Sequence, residues 1–141
     1  MEIKFQKVHP DAKTPTYGYP GDAGLDLYAC EDMVIKPGER KGVPTGIKIE
    51  IPYGYTALVW DKGSVSVNKG LTTIAGVFDF GYRGEYDIFV LNIGTEDCLV
   101  KKGDKIAQIL IQPVVLATLV EDILDDDTPR GTGRLGSTGS C

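Results

Sequence analysis

Apolar residues alternate with other residues in short segments along this chain, and glycine and proline residues lie between these segments. Residues 25–29 (LDLYA) and 47–51 (IKIEI) are clear examples. An alternation with a period of two places one side of a strand against a core. Turn formers at short intervals between strands are typical of a sandwich or barrel. The pattern therefore predicts an all-β fold.

Two segments need separate interpretation. Residues 105–120 (KIAQILIQPVVLATLV) are long enough for a helix, but Pro113 and the content of isoleucine, valine and threonine favour two successive strands. Residues 64–69 (SVSVNK), which Gly70 ends, are the best helical candidate, with one or two turns. We therefore expect at most one short helix.

Length and composition limit the domain organisation. A chain of 141 residues without a run of about 18 apolar positions predicts one domain and no membrane span. The composition changes after Val120, where five acids in seven residues precede a glycine-rich end. We expect a body at 1–120 and, at 121–141, an acidic lead-in followed by a mobile arm of the same domain.

The charge balance bears on partners and location. A net charge of -5 and a pI near 4.8 argue against nucleic acid and anionic membranes, since both favour a basic face. A small anionic ligand remains compatible, because three of the four arginines lie in two glycine-dense segments. The three cysteines form no close pair and there is one histidine, so neither disulfides nor Cys/His zinc sites are expected. Charged residues follow Met1, and we expect a cytoplasmic protein.

The segment 130–139 (RGTGRLGSTG) combines four glycines with two arginines, one serine and two threonines. Backbone N–H groups, guanidinium groups and hydroxyls together can hold a phosphate. The segment lacks the GKS or GKT of a Walker loop and its strand-to-helix setting. It predicts a flexible phosphate clamp, with a plain glycine- and serine-rich tail as the alternative.

Residues 75–87 (AGVFDFGYRGEYD) bring an acid, aromatic rings, a cation and three glycines close together. We expect a hairpin between the strand that ends in TTIAG (72–76) and the strand YDIFVLNI (86–93), and its turn would carry Asp79, Tyr82 and Arg83. Gly76, without a side chain, would let the backbone approach a flat ligand, and Tyr82 offers a face for a ring or a sugar. The alternative is an ordinary hairpin with an exposed acid and a surface pair between Arg83 and Glu85.

Two further positions and one tripeptide carry polar groups of interest. Asp26 in AGLDLYA and Gln108 in GDKIAQILI interrupt apolar alternations, so each needs a partner or a ligand. Structural polar residues are the plainer interpretation of both. Lys62, Gly63 and Ser64 lie at the start of the expected helical turn, where free N–H groups favour an anion.

Five segments, in order, resemble the motifs of the trimeric deoxyuridine triphosphatase (dUTPase) family: AGLDLYA, DKGSVS, AGVFDFGYRGEY, GDKIAQILI and RGTGRLGSTG. They span nearly the whole chain, and its length agrees with the family. The resemblance implies a jelly-roll-like β-sandwich, the dUTPase-like β-clip. It also implies a homotrimer whose C-terminal segment crosses to a neighbouring subunit, with shared active sites, dUTP as substrate and Mg²⁺ as cofactor.

The resemblance implies a role for each matching position. Asp79 matches the general base that deprotonates the water attacking the α-phosphorus of dUTP, which yields dUMP and pyrophosphate; this activity limits uracil in DNA and supplies dUMP for dTMP synthesis. The backbone at Gly76 and Val77 would bind the uracil edge, and Tyr82 would pack under the deoxyribose. The positions expected to contact substrate are Lys62, Gly63, Ser64, Thr73, Gly76, Val77, Phe78, Tyr82, Gly84, Asp87, Gln108, Arg130, Leu135, Gly136, Ser137 and Thr138.

On the phosphate side, the resemblance implies that Gln108 donates to a phosphate oxygen and that Asp26 holds Mg²⁺ through water. Arg130, with the hydroxyls of Ser137 and Thr138, would close over the γ-phosphate. The ion itself would be carried chiefly by the triphosphate and water.

The sequence departs from the family pattern at three places. The arginine-serine-glycine of the second motif is Lys62-Gly63-Ser64 here, which replaces a bidentate fork by a point charge. Leu135 stands where the family usually has phenylalanine, and Arg134 where it has glycine. We expect a working enzyme with weaker closure of the arm.

Two other functions are alternatives. A dCTP deaminase of the same superfamily shares the fold, but its catalytic glutamate would align with Phe89, which cannot carry a proton. A non-catalytic nucleotide-binding homologue would have no need to keep both the general base and the phosphate-binding arm.

Overall fold

The computed structural model describes residues 1–139, so the last two residues of the predicted arm lie outside the described residues. The described chain contains twelve strands and one helix. In chain order they are β1 (Phe5–Lys7), β2 (Thr16–Tyr17), β3 (Leu25–Tyr28), β4 (Met33–Ile35), β5 (Arg40–Val43), β6 (Ile47–Ile49), β7 (Tyr55–Asp61), α1 (Gly63–Lys69), β8 (Leu71–Thr73), β9 (Val77–Phe78), β10 (Ile88–Asn92), β11 (Cys98–Val100) and β12 (Lys105–Pro113).

In this part of the chain the strands form four antiparallel sheets. The largest has the order β2-β3-β12-β7-β9, and a three-stranded sheet has the order β5-β10-β8. The pairs β1-β6 and β11-β4 complete the arrangement. β12 lies in the middle of the largest sheet, where it pairs with β7 from Ala107 opposite Asp61 to Pro113 opposite Tyr55. The predicted all-β fold is confirmed.

The core lies between the sheets. Leu27, Ala57 and Ile109 of the five-stranded sheet belong to the same buried cluster as Val43 and Val90 of the three-stranded sheet. Burial alternates along β6 and β10, as the sequence pattern predicts. The outward-facing positions of these strands are therefore free to carry polar and aromatic groups.

The helix α1 follows β7 after a single residue. Val65 is its buried apolar residue, and Gly70 ends it in the left-handed region with φ 69°. The Gly70 N–H donates to the Ser66 carbonyl at 3.0 Å, which closes the last turn. The predicted helical segment at 64–69 is confirmed, with Gly63 added at its start. The helix of the described chain does not have the length and apolarity that crossing a membrane requires.

The predicted hairpin is confirmed in its two strands. β8, which overlaps the segment TTIAG, pairs antiparallel with β10, in YDIFVLNI, from Leu71 opposite Asn92 to Thr73 opposite Val90. The connection between them is longer than a turn and contains β9. β9 pairs with β7 in the five-stranded sheet, whereas β10 pairs with β5 and β8 in the three-stranded sheet. Residues 79–87 therefore form a loop that passes from one sheet to the other. The sequence did not predict the short strand β9 within this connection, which joins the other sheet.

The predicted pair of strands in 105–120 is wrong. One strand, β12, runs to Pro113, and no strand follows it in the described chain. Proline is tolerated at the end of a strand, and here it marks the point where pairing with β7 stops. Residues 114–120 therefore leave the body before the composition changes at Glu121.

The segment that leaves the body is apolar and uncovered. Val115 is 93% exposed, Leu119 94% and Ile123 94%. The hydrogen bonds that involve described residues after Val120 join arm residues to one another. An exposed apolar stretch of this kind is typical of a surface that another chain covers.

Candidate active site

A surface cavity of about 300 Å³ surrounds the predicted general base. Its lining consists of Ala75, Val77, Phe78, Asp79, Tyr82, Asp87 and Phe89. Five of these seven residues are positions that the sequence predicts to act on the nucleotide. A cavity of this size, with a few polar groups among apolar and aromatic walls, suits a small ligand such as a nucleoside.

The backbone that leads into β9 is tightly constrained. Ala75 has φ 54°, a left-handed conformation that residues other than glycine rarely adopt. The Gly76 carbonyl accepts a hydrogen bond from the Val59 N–H at 2.7 Å, and a Cβ at Gly76 would collide with the Val59 carbonyl oxygen. Packing against β7 is therefore enough to require glycine at this position, independently of the predicted approach of a ligand.

The loop after β9 begins with a turn at Asp79, whose carbonyl accepts from the Tyr82 N–H at 3.0 Å. The Tyr82 hydroxyl donates to the Glu85 carbonyl at 2.7 Å. A Cβ at Gly84 would collide with the Tyr82 ring and hydroxyl, so the glycine makes room for this ring. Arg83 forms its surface pair with Glu50, at 3.6 Å, and not within the loop.

An aromatic cluster adjoins the cavity. The Phe78 and Tyr86 rings stack with centroids 4.2 Å apart, and Tyr82 is tilted against Phe78 with centroids 5.6 Å apart. Tyr86 is fully buried, and its hydroxyl has no hydrogen-bond partner among the described residues. Burial, with the neighbouring Tyr82, raises the pKa of Tyr86 to about 12, so its hydroxyl stays protonated. The cluster holds Phe78 and Tyr82 in place on the cavity wall.

A second group of predicted residues meets at Asp26, on β3. Asp26 is 2% exposed, with Lys62 Nζ 2.6 Å from its Oδ1 and Lys105 Nζ 2.7 Å from its Oδ2. Burial raises the pKa of this carboxyl, but the two ammonium groups outweigh that effect and leave the pKa below its ordinary value. Asp26 is therefore an ionised carboxylate that anchors two lysines.

The prediction that Asp26 holds Mg²⁺ through water does not fit this geometry. Each of its oxygens faces an ammonium group, and two positive charges at this distance repel a divalent cation. The plainer interpretation of Asp26, a structural polar residue with partners, agrees with the contacts. It fixes the ammonium group of Lys62, the residue predicted to contact phosphate.

Replacing Asp26 by asparagine should lower the free energy of unfolding at pH 7 by about 3 kcal/mol, because the lysines lose their counter-charge. Since the pKa of folded Asp26 is lowered, its contribution is present above about pH 4 and is lost as the pH falls through the lowered value. The difference between wild type and variant should therefore shrink in acid. Urea unfolding at equal protomer concentration measures both effects.

Asp11→Asn provides the matched control, because Asp11 pairs with Lys102 at 3.1 Å in an exposed setting. An exposed pair contributes about 0–1 kcal/mol, so this variant should unfold almost as wild type does. Equal losses from the Asp11 and Asp26 variants at pH 7 would contradict the anchoring role of Asp26.

Gln108 also has its partner within the chain. Its Nε2 donates to the Asp61 carbonyl at 2.9 Å, and in the sheet it lies opposite Asp26. A Cβ at Gly24 would lie 2.6 Å from Gln108 Oε1, so glycine there leaves room for the amide. The direct contact of Gln108 with a phosphate oxygen stays a prediction.

Asp61 is a residue that the sequence reasoning missed. Its carboxylate accepts four hydrogen bonds: from the Thr73 N–H at 2.6 Å and the Thr73 hydroxyl at 2.8 Å on Oδ1, and from Thr72 at 2.9 Å and Ser66 at 3.2 Å on Oδ2. Burial raises the pKa of Asp61, but these hydrogen bonds, led by that of the Thr73 N–H, bring it below its ordinary value. A charged residue at the end of the apolar segment YTALVWD, next to Lys62, is the signal that could have identified it.

The predicted phosphate-clamp arm is a series of turns. The Arg130 Nε donates to the Gly133 carbonyl at 3.2 Å, and the Ser137 N–H donates to the Arg134 carbonyl at 3.0 Å. Gly136 has φ 80°, which a residue with a side chain would adopt only with strain. The arm residues predicted to contact substrate are Arg130, Leu135, Gly136, Ser137 and Thr138. Among the described residues, no hydrogen bond or ion pair joins them to the cavity or to Asp26.

His9, Cys30 and Glu31 form a separate cluster, with one ligand atom of each within 4.8 Å of the others. Burial, and then the carboxylates of Glu85 and Glu31, raise the pKa of the Cys30 thiol. The His9 Nδ1 accepts a hydrogen bond from the Asp11 N–H at 3.1 Å, so the other nitrogen of the neutral ring carries the proton. A metal ion on Nδ1 would take the lone pair that accepts this hydrogen bond, and a metal ion on Nε2 would leave the ring proton on Nδ1. Either would break the hydrogen bond, so the cluster is not arranged in advance for a metal ion.

Comparison with known proteins identifies the family of the chain. The chain matches the family model described as dUTPase over residues 10–139. It is 41% identical over 142 residues to the deoxyuridine 5'-triphosphate nucleotidohydrolase of Clostridium kluyveri, with 99% of each protein covered.

Two solved structures share the fold. A variant of the Staphylococcus bacteriophage 80alpha dUTPase with dUpNHpp has a TM-score of 0.89 and 24% identity, with 99% of each chain covered. A variant of the dUTPase from phage phi11 of S. aureus, described with a structural Mg(II) ion, has a TM-score of 0.82 and 22% identity over 91% of this chain and 100% of that one. The jelly-roll-like sandwich is therefore confirmed.

The family model covers nearly the whole chain, and the bacterial relative is similar from end to end. The residues that carry the five motifs lie in the cavity at Asp79, around Asp26 and Asp61, and in the arm. This chain belongs to the dUTPase family.

Proposed function

We propose that this protein is a dUTP diphosphatase that hydrolyses dUTP to dUMP and pyrophosphate with Asp79 as general base. The observation that carries the proposal is the cavity of about 300 Å³ that unites Asp79 with the residues predicted for the base and sugar, in a chain of the dUTPase family. An exposed aspartate beside such a cavity can reach a water molecule next to a bound nucleotide.

In this mechanism, the oxygen of a water molecule attacks the α-phosphorus of dUTP. The Asp79 carboxylate takes the proton, the new bond forms between that oxygen and phosphorus, and the bond from the α-phosphorus to the bridging oxygen breaks. Pyrophosphate leaves with the electron pair of that bond. A carboxylate is the correct form for a base at neutral pH.

Recognition of the nucleoside rests on β9 and the following loop. β9 is the edge strand of its sheet, so one side of its backbone has no strand partner in the described chain. Backbone groups at Val77 can then pair with the uracil edge, as in strand addition to a sheet edge. The Tyr82 ring forms the floor under the deoxyribose and leaves no room for a 2′-hydroxyl.

The phosphates are bound by Lys62, Gly63 and Ser64 at the start of α1, with Thr73 and Gln108 beside them. Gly63 and Ser64 are exposed, and a Cβ at Gly63 would meet no atom within 4 Å, so a ligand can approach the backbone there. Since Asp26 is occupied by two lysines, Mg²⁺ is carried by the triphosphate and water, where it neutralises phosphate charge. The structural ion described for the phage phi11 relative shows that a member of the family can hold Mg²⁺.

The protein works as a homotrimer with active sites shared between subunits. Support comes from the exposed apolar side chains at 115–124 and from an arm that makes its hydrogen bonds within itself. Another subunit would cover the apolar stretch and receive the arm over its bound triphosphate. The buried free thiols of Cys30 and Cys98 suit the reducing conditions of the cytoplasm, which is the proposed location.

The dCTP deaminase alternative is disfavoured by the cavity itself. Phe89 lines it at the position where the deaminase glutamate would lie, and its ring packs on the backbone of Gly42, where a Cβ would come within 3.1 Å of Cζ. A phenyl ring cannot transfer the proton that deamination of cytosine requires.

A panel of nucleotides tests the proposed function. With Mg²⁺, the purified protein should release pyrophosphate from dUTP at least about 10²-fold more efficiently, by kcat/KM, than from dTTP, dCTP or UTP, because the pocket excludes a 5-methyl group, a 4-amino group and a 2′-hydroxyl. Ammonia release from dCTP would favour the deaminase. Binding of dUTP without any pyrophosphate release would favour the non-catalytic homologue.

A further inference from the structure

Asp61 joins the elements that carry the predicted phosphate-binding residues. It is the last residue of β7, and its carboxylate binds side chains of α1 and β8 while its carbonyl accepts from Gln108 on β12. We propose that Asp61 is a positioning residue that holds the phosphate-binding half of the active site in place. The inference rests on the proposed function and adds to it a residue that touches no substrate.

The geometry connects Asp61 to each phosphate-side group. Thr73, which is predicted to contact substrate, gives Asp61 both its backbone N–H and its hydroxyl. Ser66 ties the first turns of α1 to the same carboxylate and so fixes the direction in which Gly63 and Ser64 present their N–H groups. The carbonyl of Asp61 holds the amide of Gln108. One residue thereby sets the relative positions of four groups.

The charge of Asp61 is satisfied by neutral donors alone. No lysine or arginine nitrogen in the described chain lies within ion-pair distance of its carboxylate, and the adjacent Lys62 turns to Asp26 instead. Four hydrogen bonds to one ionised carboxylate define its position closely. The ammonium group of Lys62 is therefore held by Asp26 and not by the acid next to it in sequence.

The role of Asp61 differs from that of a residue that merely stabilises the fold. A variant that is only less stable loses the same fraction of its binding for every ligand, because only the folded fraction of the protein changes. Loss of position at α1, Thr73 and Gln108 affects the binding of the phosphate chain and leaves the cavity at Asp79 as it was. Comparison of a monophosphate with a triphosphate analogue therefore separates the two roles.

The test uses the full-length protein with the substitution Asp61→Asn. The amide N–H₂ group of asparagine is a donor and would face some of the four donors that now bind the carboxylate, so those hydrogen bonds would be lost. Binding of dUpNHpp should weaken at least about tenfold, whereas binding of dUMP should stay within about twofold of wild type. The value of kcat/KM for dUTP should fall by about 10–100-fold. Glu39→Gln is the matched control, since Glu39 also accepts from a backbone N–H, that of Lys36 at 2.8 Å, but lies outside the site.

Equal losses for dUMP and dUpNHpp, or no loss for either, would overturn the positioning role. Where Asp61→Asn does not fold, the double variant Ser66→Ala and Thr72→Val removes two of the four donors and keeps the charge. It should weaken dUpNHpp binding about three- to tenfold with dUMP unaffected, and unchanged binding of both would again overturn the inference. Failure of the wild-type protein to release pyrophosphate from dUTP would overturn the proposed function instead, so the two failures are distinct.

Discussion

Asp79→Asn should lower kcat for dUTP hydrolysis by roughly 10²–10⁴-fold, because an amide cannot take the proton of the attacking water. The two side chains have nearly the same shape. The Asp79 carboxylate accepts no hydrogen bond from other described residues, so the substitution breaks no interaction of the fold. Affinity for dUpNHpp should therefore stay within about threefold of wild type. Single-turnover kinetics and equilibrium binding measure the two quantities separately.

Asp87 is the competing base, since it lines the same cavity. Burial, and then the carboxylates of Glu85 and Glu31, raise the pKa of Asp87, and a raised pKa in a cavity is a property that general bases often have. Asp87→Asn should nevertheless lower kcat by less than about tenfold. A larger loss from Asp87→Asn than from Asp79→Asn would assign the base to Asp87. A parallel fall of kcat and of dUpNHpp affinity in Asp79→Asn would indicate a binding role.

The secondary structure was largely predictable because it depends on local pattern. Alternation in 25–29 and 47–51 corresponds to β3 and β6, and the short helix lies where SVSVNK and Gly70 predict it. The pairing of strands far apart in the chain was not predictable, because it depends on which sheet each strand joins. The hairpin of β8 and β10 was predictable because the two strands are close in sequence, whereas β9, inside their connection, pairs with β7 in the other sheet.

The candidate site likewise has one part that the local sequence predicts and one part that it does not. The seven lining residues of the cavity all come from the contiguous segment 75–89, so local sequence patterns are enough to find them together. The ion pairs of Asp26 bring β3, the start of α1 and β12 together across the chain, and no spacing in the sequence reveals them. Lys105 was missed for that reason. Only the resemblance to a family placed Lys62 and Asp26 in one site.

Glycines illustrate how far composition can be interpreted. Gly76 and Gly84 have reasons within the chain, since a side chain would collide with Val59 at one and with Tyr82 at the other. Gly63 has no such neighbour, which leaves the approach of a ligand as its explanation. The sequence could count the glycines but could not separate those that serve packing from those that serve binding.

Deletion of residues 130–141 should lower kcat/KM for dUTP by at least about 10²-fold and leave the proposed trimer folded. The deleted part carries Arg130, Ser137 and Thr138, the donors predicted to close over the γ-phosphate. In the described chain it makes hydrogen bonds only within the arm, so its removal costs the body no contact. Kinetics with dUTP and light scattering after gel filtration measure activity and assembly on the same sample.

A longer deletion, from Val114 onward, separates the two functions of the C-terminal segment. It removes the exposed apolar side chains represented by Val115, Leu119 and Ile123 as well as the clamp. If those side chains pack on a neighbouring subunit, loss of their buried apolar surface should weaken the trimer at micromolar concentrations, whereas the shorter deletion should not. Full activity of the shorter deletion would refute the clamp, and an intact trimer after the longer one would locate the subunit interface elsewhere on the body.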